Sequence, residues 1–141
     1  MKTKGTKYRL EDVKNRVSES DVLSYIETKE INWKEVNKFK KVTGFTDEVI
    51  SGWFNMNVKT FRSYKKPGVD LNINFKEKFF VLSSIFEQGK KVFGNYEAFT
   101  EWLDKENFYF NGKSPLYFLN TITGARFVED RLIAMEYGDN V

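Results

Sequence analysis

Lys59, Arg62, Lys65 and Lys66 crowd the end of one short stretch, "FTDEVISGWFNMNVKTFRSYKK", residues 45–66. Such residues bind rather than make bonds. The planar fork of Arg62 matches the two acceptors of guanine. Lys59, Lys65 and Lys66 suit phosphates, and Asn57 and Thr60 can donate to a phosphate at a helix start. Val58 and Ser63 complete the same outward face. Bond-making chemistry has little to work with. The chain has no Cys and no His, which removes disulfides, thiolate and imidazole metal ligands, and nucleophiles that rely on a His base. Carboxylate neighbours such as Asp47/Glu48 and Glu129/Asp130 would point in different directions from a helix and cannot flank one substrate bond. "GKSP", residues 112–115, lacks the preceding glycine of a phosphate-binding loop. No catalytic residue, metal or cofactor is expected, and the chain does not read as an enzyme.

A helix-turn-helix would position the basic face. Its two helices must cross closely, and the small Ser51 falls at that point. The tight turn needs a residue that tolerates positive φ, and Asn55 does so better than any residue except Gly. Met56 then points inward and Asn57 caps the second helix, while Ile50, Phe54, Met56, Phe61 and Tyr64 form the inward set. The second helix would then read duplex DNA, as a dimer, because one such unit reads only a half-site. Two alternatives stay open: a plain helical hairpin with solvated lysines, and an adaptor in which residues 45–66 do not touch DNA.

The rest of the chain reads as all-α. Ser20 is expected to cap "DVLSYIETKEI", with Val22, Leu23, Tyr25 and Ile26 on its buried side. Asn32 caps "WKEVNKFKKV", with Trp33, Val36, Phe39 and Val42 inward and Gly44 beyond its end. Thr46 caps the helix that follows. Pro67-Gly68 marks a turn, which divides the chain into residues 1–70 and 71–141. In "NFKEKFFVLSSIFEQGKKVFG", Phe75, Phe79, Leu82, Phe86, Gly89 and Phe93 draw a seam, and Phe80, Val81 and Ile85 widen it. That pattern predicts a core helix rather than a coiled coil. Asn95 caps "YEAFTEWLDKEN", with Phe99, Trp102 and Leu103 inward. "FYFNG" is at best a short strand-like alternation. "NGKSP" is a turn with Ser114 at the cap and Pro115 at the first helical position. The last helix buries Phe127 or Val128, Leu132 and Met135, and stops at Gly138.

At 141 residues, 40% apolar and 17% aromatic with 14 Phe, the chain has ample material for a packed interior. "MKTKGTK" at the start reads as a frayed basic tail. Residues 1–70 hold 15 Lys/Arg against 10 Asp/Glu, and residues 71–141 hold 8 against 10. A polyanion is therefore favoured by the front half. Uninterrupted apolar runs such as "FFVL" fall far short of the roughly 20 residues of a membrane span. No secretory signal follows the early lysines, and a cytoplasmic location is expected.

Residues 111–138, "NGKSPLYFLNTITGARFVEDRLIAMEYG", are the most specific segment. They resemble the C-terminal toxin-binding domain of the Xre/MbcA/ParS antitoxins. The matching features are a Gly-x-Ser-Pro turn (Gly112, Ser114, Pro115), a Leu pair (Leu116, Leu119), Thr121, then Gly124-Ala125 before the final helix. Val128, Leu132 and Gly138 follow. Upstream, Phe93, Gly94, Trp102 and Leu103 resemble the family's aromatic-Gly segment leading to Trp-Leu. Where the family commonly has a Pro shortly afterwards, this chain has Glu106. Residues 45–66 fit the Xre-like helix-turn-helix that the family places ahead of this domain.

The resemblance implies the antitoxin of a type II toxin–antitoxin system. Its front half would bind the promoter of its own operon. Its rear half would clamp a RES-domain toxin that consumes NAD or uses it for ADP-ribosylation. The turn and Leu pair (Ser114, Pro115, Leu116, Leu119) are then candidate toxin contacts. So are the exposed aromatics expected at Tyr109, Tyr117 and Phe118. Arg126, Glu129, Asp130, Arg131 and Glu136 are expected on the outer side of the last helix, with Tyr137 and the carboxylate of Val141 at its tip. A toxin pocket made for NAD phosphates should be cationic, so Glu136, Asp139 and that carboxylate are candidate anion mimics. The alternative is a stand-alone transcriptional regulator whose rear domain only dimerises.

Overall fold

Side-chain caps set where most of the helices begin. The computed structural model describes residues 17–28 and 31–138; the first seven residues, Asp139 and Val141 lie outside them. Helices α1 (Glu19–Thr28), α2 (Trp33–Thr43), α3 (Asp47–Trp53) and α4 (Val58–Ser63) precede the long α5 (Ile73–Phe93). Then follow α6 (Tyr96–Asp104), two 3-10 turns (Phe108–Phe110 and Pro115–Phe118) and α7 (Ile122–Glu136). No strand occurs among the described residues, so the fold is all-α. Asn32, Thr46, Asn57, Asn72, Asn95 and Thr121 each accept a backbone N–H of the first turn. Each such cap contributes about 1 kcal/mol. Asn32 and Glu35 complete a reciprocal capping box.

The first cap lies earlier than expected. Asp21 N donates to Ser18 Oγ at 3.1 Å, so Ser18 caps α1 and Ser20 sits inside the first turn. Leu23 is exposed, because α1 turns Val22, Tyr25 and Ile26 inward, with Tyr25 stacked on Phe80. Val42 is likewise exposed. The buried positions of α2 are Val36, Phe39 and Thr43, which follow the true helical period and turn residue 42 aside. Gly44 and Gly138 take positive φ just after α2 and α7, where the helices were expected to stop.

Helix α5 is the axis of the molecule and touches α1, α6 and α7. Its seam of Phe75, Phe79, Leu82, Phe86 and Gly89 is buried, and Val81 and Ile85 widen it. Phe86 meets Phe39, Phe45, Trp53 and Phe99 at centroid distances of 5.1–6.0 Å. One apolar cluster thus runs from Val22 to Met135. Gly89 is required by close approach: a Cβ there would stand 2.4 Å from the Phe99 ring.

The "FYFNG" alternation is a turn, not a strand. Asn107 accepts from Tyr109 N, and Asn107 and Lys113 are joined through Asn107 N and Lys113 O at 3.0 Å. Asn111 and Gly112 both take positive φ, which closes the loop. It throws Phe108 and Tyr109 outward and buries Phe110.

Candidate functional site

Asn55, at φ 57°, makes the left-handed turn between α3 and α4, and Ser51 is buried at their crossing. Ile50 and Phe61 are fully buried, and Phe54, Met56 and Tyr64 pack against the core. The face of α4 that was expected outward is only partly exposed. Asn57 is exposed and accepts from Thr60 N at 2.8 Å; Lys59, Thr60, Lys65 and Lys66 are exposed, while Val58 and Ser63 are half-buried. Ser63 Oγ turns back to donate to Thr60 O. Lys65 lies over the Trp33 ring at 5.9 Å.

Arg62 is exposed but paired within the chain. Its Nε donates to Asp47 at 2.8 Å and a terminal nitrogen lies 3.4 Å from Glu48, so α4 is tied to the start of α3. Lys40 also pairs with Asp47. Hydrogen bonds from Lys40 and then Arg62 hold the Asp47 carboxyl below the usual carboxylate range.

The second surface is aromatic. Phe108 is 89% exposed, Tyr117 62%, Phe127 48% and Tyr109 43%. Beneath them Phe110 is buried, 5.5 Å from Phe118 and 5.1 Å from Phe127, with Trp102 behind it. Phe118 bridges Tyr117 and Phe127 at 5.3 and 5.9 Å. Two cations rest on the outer rings: the Arg131 guanidinium lies 3.5 Å from the Tyr109 centroid, and Lys113 lies 4.7 Å from that of Tyr117. The two 3-10 turns and the first half of α7 therefore display rings over a rigid aromatic floor. Aromatic residues with arginine, exposed beyond what the core needs, are the composition of protein-binding surfaces.

Phe127 stands on this surface rather than in the core; Val128, Leu132 and Met135 take the buried positions of α7. Phe108 was not anticipated. Its signal was the alternation in "FYF", which puts residues 108 and 110 on one side of a strand; in a turn they part company.

Other expected contacts are placed differently. Pro115 and Leu119 are buried, Leu116 and Ser114 are half-buried, and Ser114 makes no side-chain cap bond. Glu129, expected on the outer side of α7, is 2% exposed. It accepts from Arg126 at 2.8 Å and from Val17 N at 3.3 Å, while Arg126 donates to Val17 O at 2.6 Å. This pair clamps both backbone groups of residue 17 at the entry to α1, and burial of Glu129 is sustained by the arginine and the amide. Tyr137 is exposed at the end of α7, and Val141 lies outside the described residues.

Glu136 is also engaged within the chain. Lys91 approaches to 2.8 Å and Gln88 donates at 2.6 Å, and Lys91 is the chief reason its carboxyl sits below the usual range. A carboxyl depressed in the folded state adds stability above its unfolded pKa and loses it as pH falls through the folded one. Thermal melts of Glu136→Gln should therefore fall less than the parent's below about pH 4.5.

The aromatic surface falls in a segment that is similar to a known family. Residues 88–138 match the family model of the antitoxin Xre/MbcA/ParS C-terminal toxin-binding domain. The match supports an antitoxin role in a toxin–antitoxin system, with a toxin as partner. It is a match to a binding domain, not to a catalytic one. No curated protein matches the chain. The match begins within α5 and ends at Gly138, so the matched segment takes in both 3-10 turns and all of α7. Among the described residues no helix is long and apolar enough to cross a membrane.

Proposed function

We propose that the chain is a non-catalytic type II antitoxin that captures a RES-domain toxin consuming NAD or using it for ADP-ribosylation. Capture is through the aromatic surface of Phe108, Tyr109, Tyr117 and Phe127. The observation that carries this reading is that, among the described residues, the exposed rings cluster inside the segment matched by the toxin-binding model. Residues 1–70 form the DNA-binding part and residues 71–141 the toxin-binding part, although the two share one core. As a homodimer in the cytoplasm, the protein binds its operator and represses its own operon. The positive-φ turn at Asn55, the cap at Asn57 and the exposed Lys59 and Lys66 support the DNA-binding part.

Co-expression with the adjacent gene is the test of the toxin reading. A neighbouring RES toxin should be tolerated by cells only with this protein present, and the two should co-purify. Cells that die with both genes expressed would refute it. Gel shifts at two salt concentrations test the DNA reading: binding should weaken steeply as salt rises. Lys66→Ala should weaken binding to all sequences alike, and Arg62→Ala should relax sequence preference, with a discrimination loss of about 1–3 kcal/mol. A second reading, an adaptor whose front half does not touch DNA, is favoured by the capture of Arg62 by Asp47 and Glu48. Unchanged operator binding by both variants would turn the assignment of α4 in its favour.

A further inference from the structure

A cleft of about 460 Å³ lies where the α3–α4 turn meets the starts of α5 and α7. Neither the aromatic surface nor the basic face of α4 includes it. Asn55, Asn72, Asn74, Asn120 and Thr121 line it, and Asn55 Nδ2 donates to Asn120 O at 2.9 Å across one edge. Lys78 also lines it and is only 7% exposed.

A lysine so deeply placed normally has a carboxylate partner, because an unpaired buried charge is costly. No hydrogen bond or ion pair joins the Lys78 side chain to any described residue, and burial alone lowers its pKa. Glu77, the one carboxylate lining the cleft, makes no ion pair with it. The positive ends of two long helices add to the field. At the start of α5 the Asn72 side chain takes Phe75 N, and at the start of α7 Thr121 takes Gly124 N. The N–H groups of Ile73, Asn74, Ile122 and Thr123 have no partner within their helices. Helix starts favour negative charge, and two of them border the cleft that Lys78 lines.

We propose that this cleft binds a phosphate-type oxyanion, free phosphate or a phosphomonoester, between the ammonium of Lys78 and the first turns of α5 and α7. The carboxamides of Asn55, Asn72, Asn74 and Asn120 supply neutral donors around the anion. Occupancy braces the α3–α4 turn against the start of α7. The inference does not depend on either partner proposed above.

Thermal unfolding of the full chain in inorganic phosphate, against chloride at matched ionic strength, tests it. Phosphate should raise Tm by about 3 °C or more through ligand linkage. Lys78→Met keeps the stem and removes the charge, so it should lose the phosphate increment while its Tm in chloride stays at or above the parent's. An adenosine monophosphate arm separates the sources. A larger increment than phosphate at equal concentration assigns a phosphomonoester; an equal one assigns free phosphate. Equal melts in phosphate and chloride, or the same increment in Lys78→Met, would overturn the proposal. Should that variant not fold, amide NMR of the parent decides. Phosphate must shift the N–H signals of residues 73, 74, 122 and 123 more than chloride does, and failure to do so overturns the site.

Discussion

Gly124→Ala is expected to destabilise the protein by about 3 kcal/mol, the upper end for overpacking, against a total stability of roughly 5–15 kcal/mol. Replacing a helical glycine by alanine ordinarily gains up to about 1 kcal/mol. The sign reverses here for a steric reason. A Cβ on Gly124 would lie 2.1 Å from the Phe118 carbonyl oxygen and 2.9 Å from Thr121 Oγ1. The first obstacle is backbone and cannot rotate away; the second is the hydroxyl that caps α7. Relief requires α7 to move off the second 3-10 turn, which breaks the Phe118–Phe127 contact and the floor of the aromatic surface. Tm should fall by about 10 °C. Gly52→Ala is the control, since nothing stands within 4 Å of its Cβ and its φ is ordinary. That variant should melt at or slightly above the parent temperature. The glycine at position 124 is thus explained by a close approach.

The double substitution Phe108→Asp with Tyr117→Asp should weaken toxin binding at least about 100-fold, since central aromatic anchors each contribute 2 kcal/mol or more. Both side chains are mostly exposed, so removing them opens no cavity. The new carboxylate at position 117 would replace the ring on which Lys113 now rests, while Arg131 keeps its place on Tyr109. Stability should change little, with Tm within about 2 °C of the parent. Calorimetric titration of purified toxin measures the affinity, and a toxin growth assay measures neutralisation. A folded variant that still neutralises would remove the aromatic surface from the toxin interface.

Helix starts and the long seam were legible because local chemistry fixes them. Asn32, Thr46, Asn57 and Asn95 cap without help from distant residues, and the Phe75–Phe86 pattern marks a buried seam. Sidedness was harder where two adjacent residues could each be buried. Between Phe127 and Val128, and between Val42 and Thr43, the choice depends on where α5 and α6 lie. Glu129 was misplaced because charge usually means solvent; Arg126 is its neighbour one turn back, but only the fold brings Val17 to the pair. Phe108 was hidden because a three-residue turn has no periodicity to read. Lys78 sits beside Phe79 in the seam helix, and its burial follows from how α7 docks, which no local pattern encodes.

Hydrogen exchange of the protein, free and bound to its toxin, tests the central assignment most directly. The amides of residues 107–118 and the first two turns of α7 should gain protection in the complex, while α4 should not. Protection confined to α1–α4, with residues 107–118 exchanging as in the free protein, would contradict it.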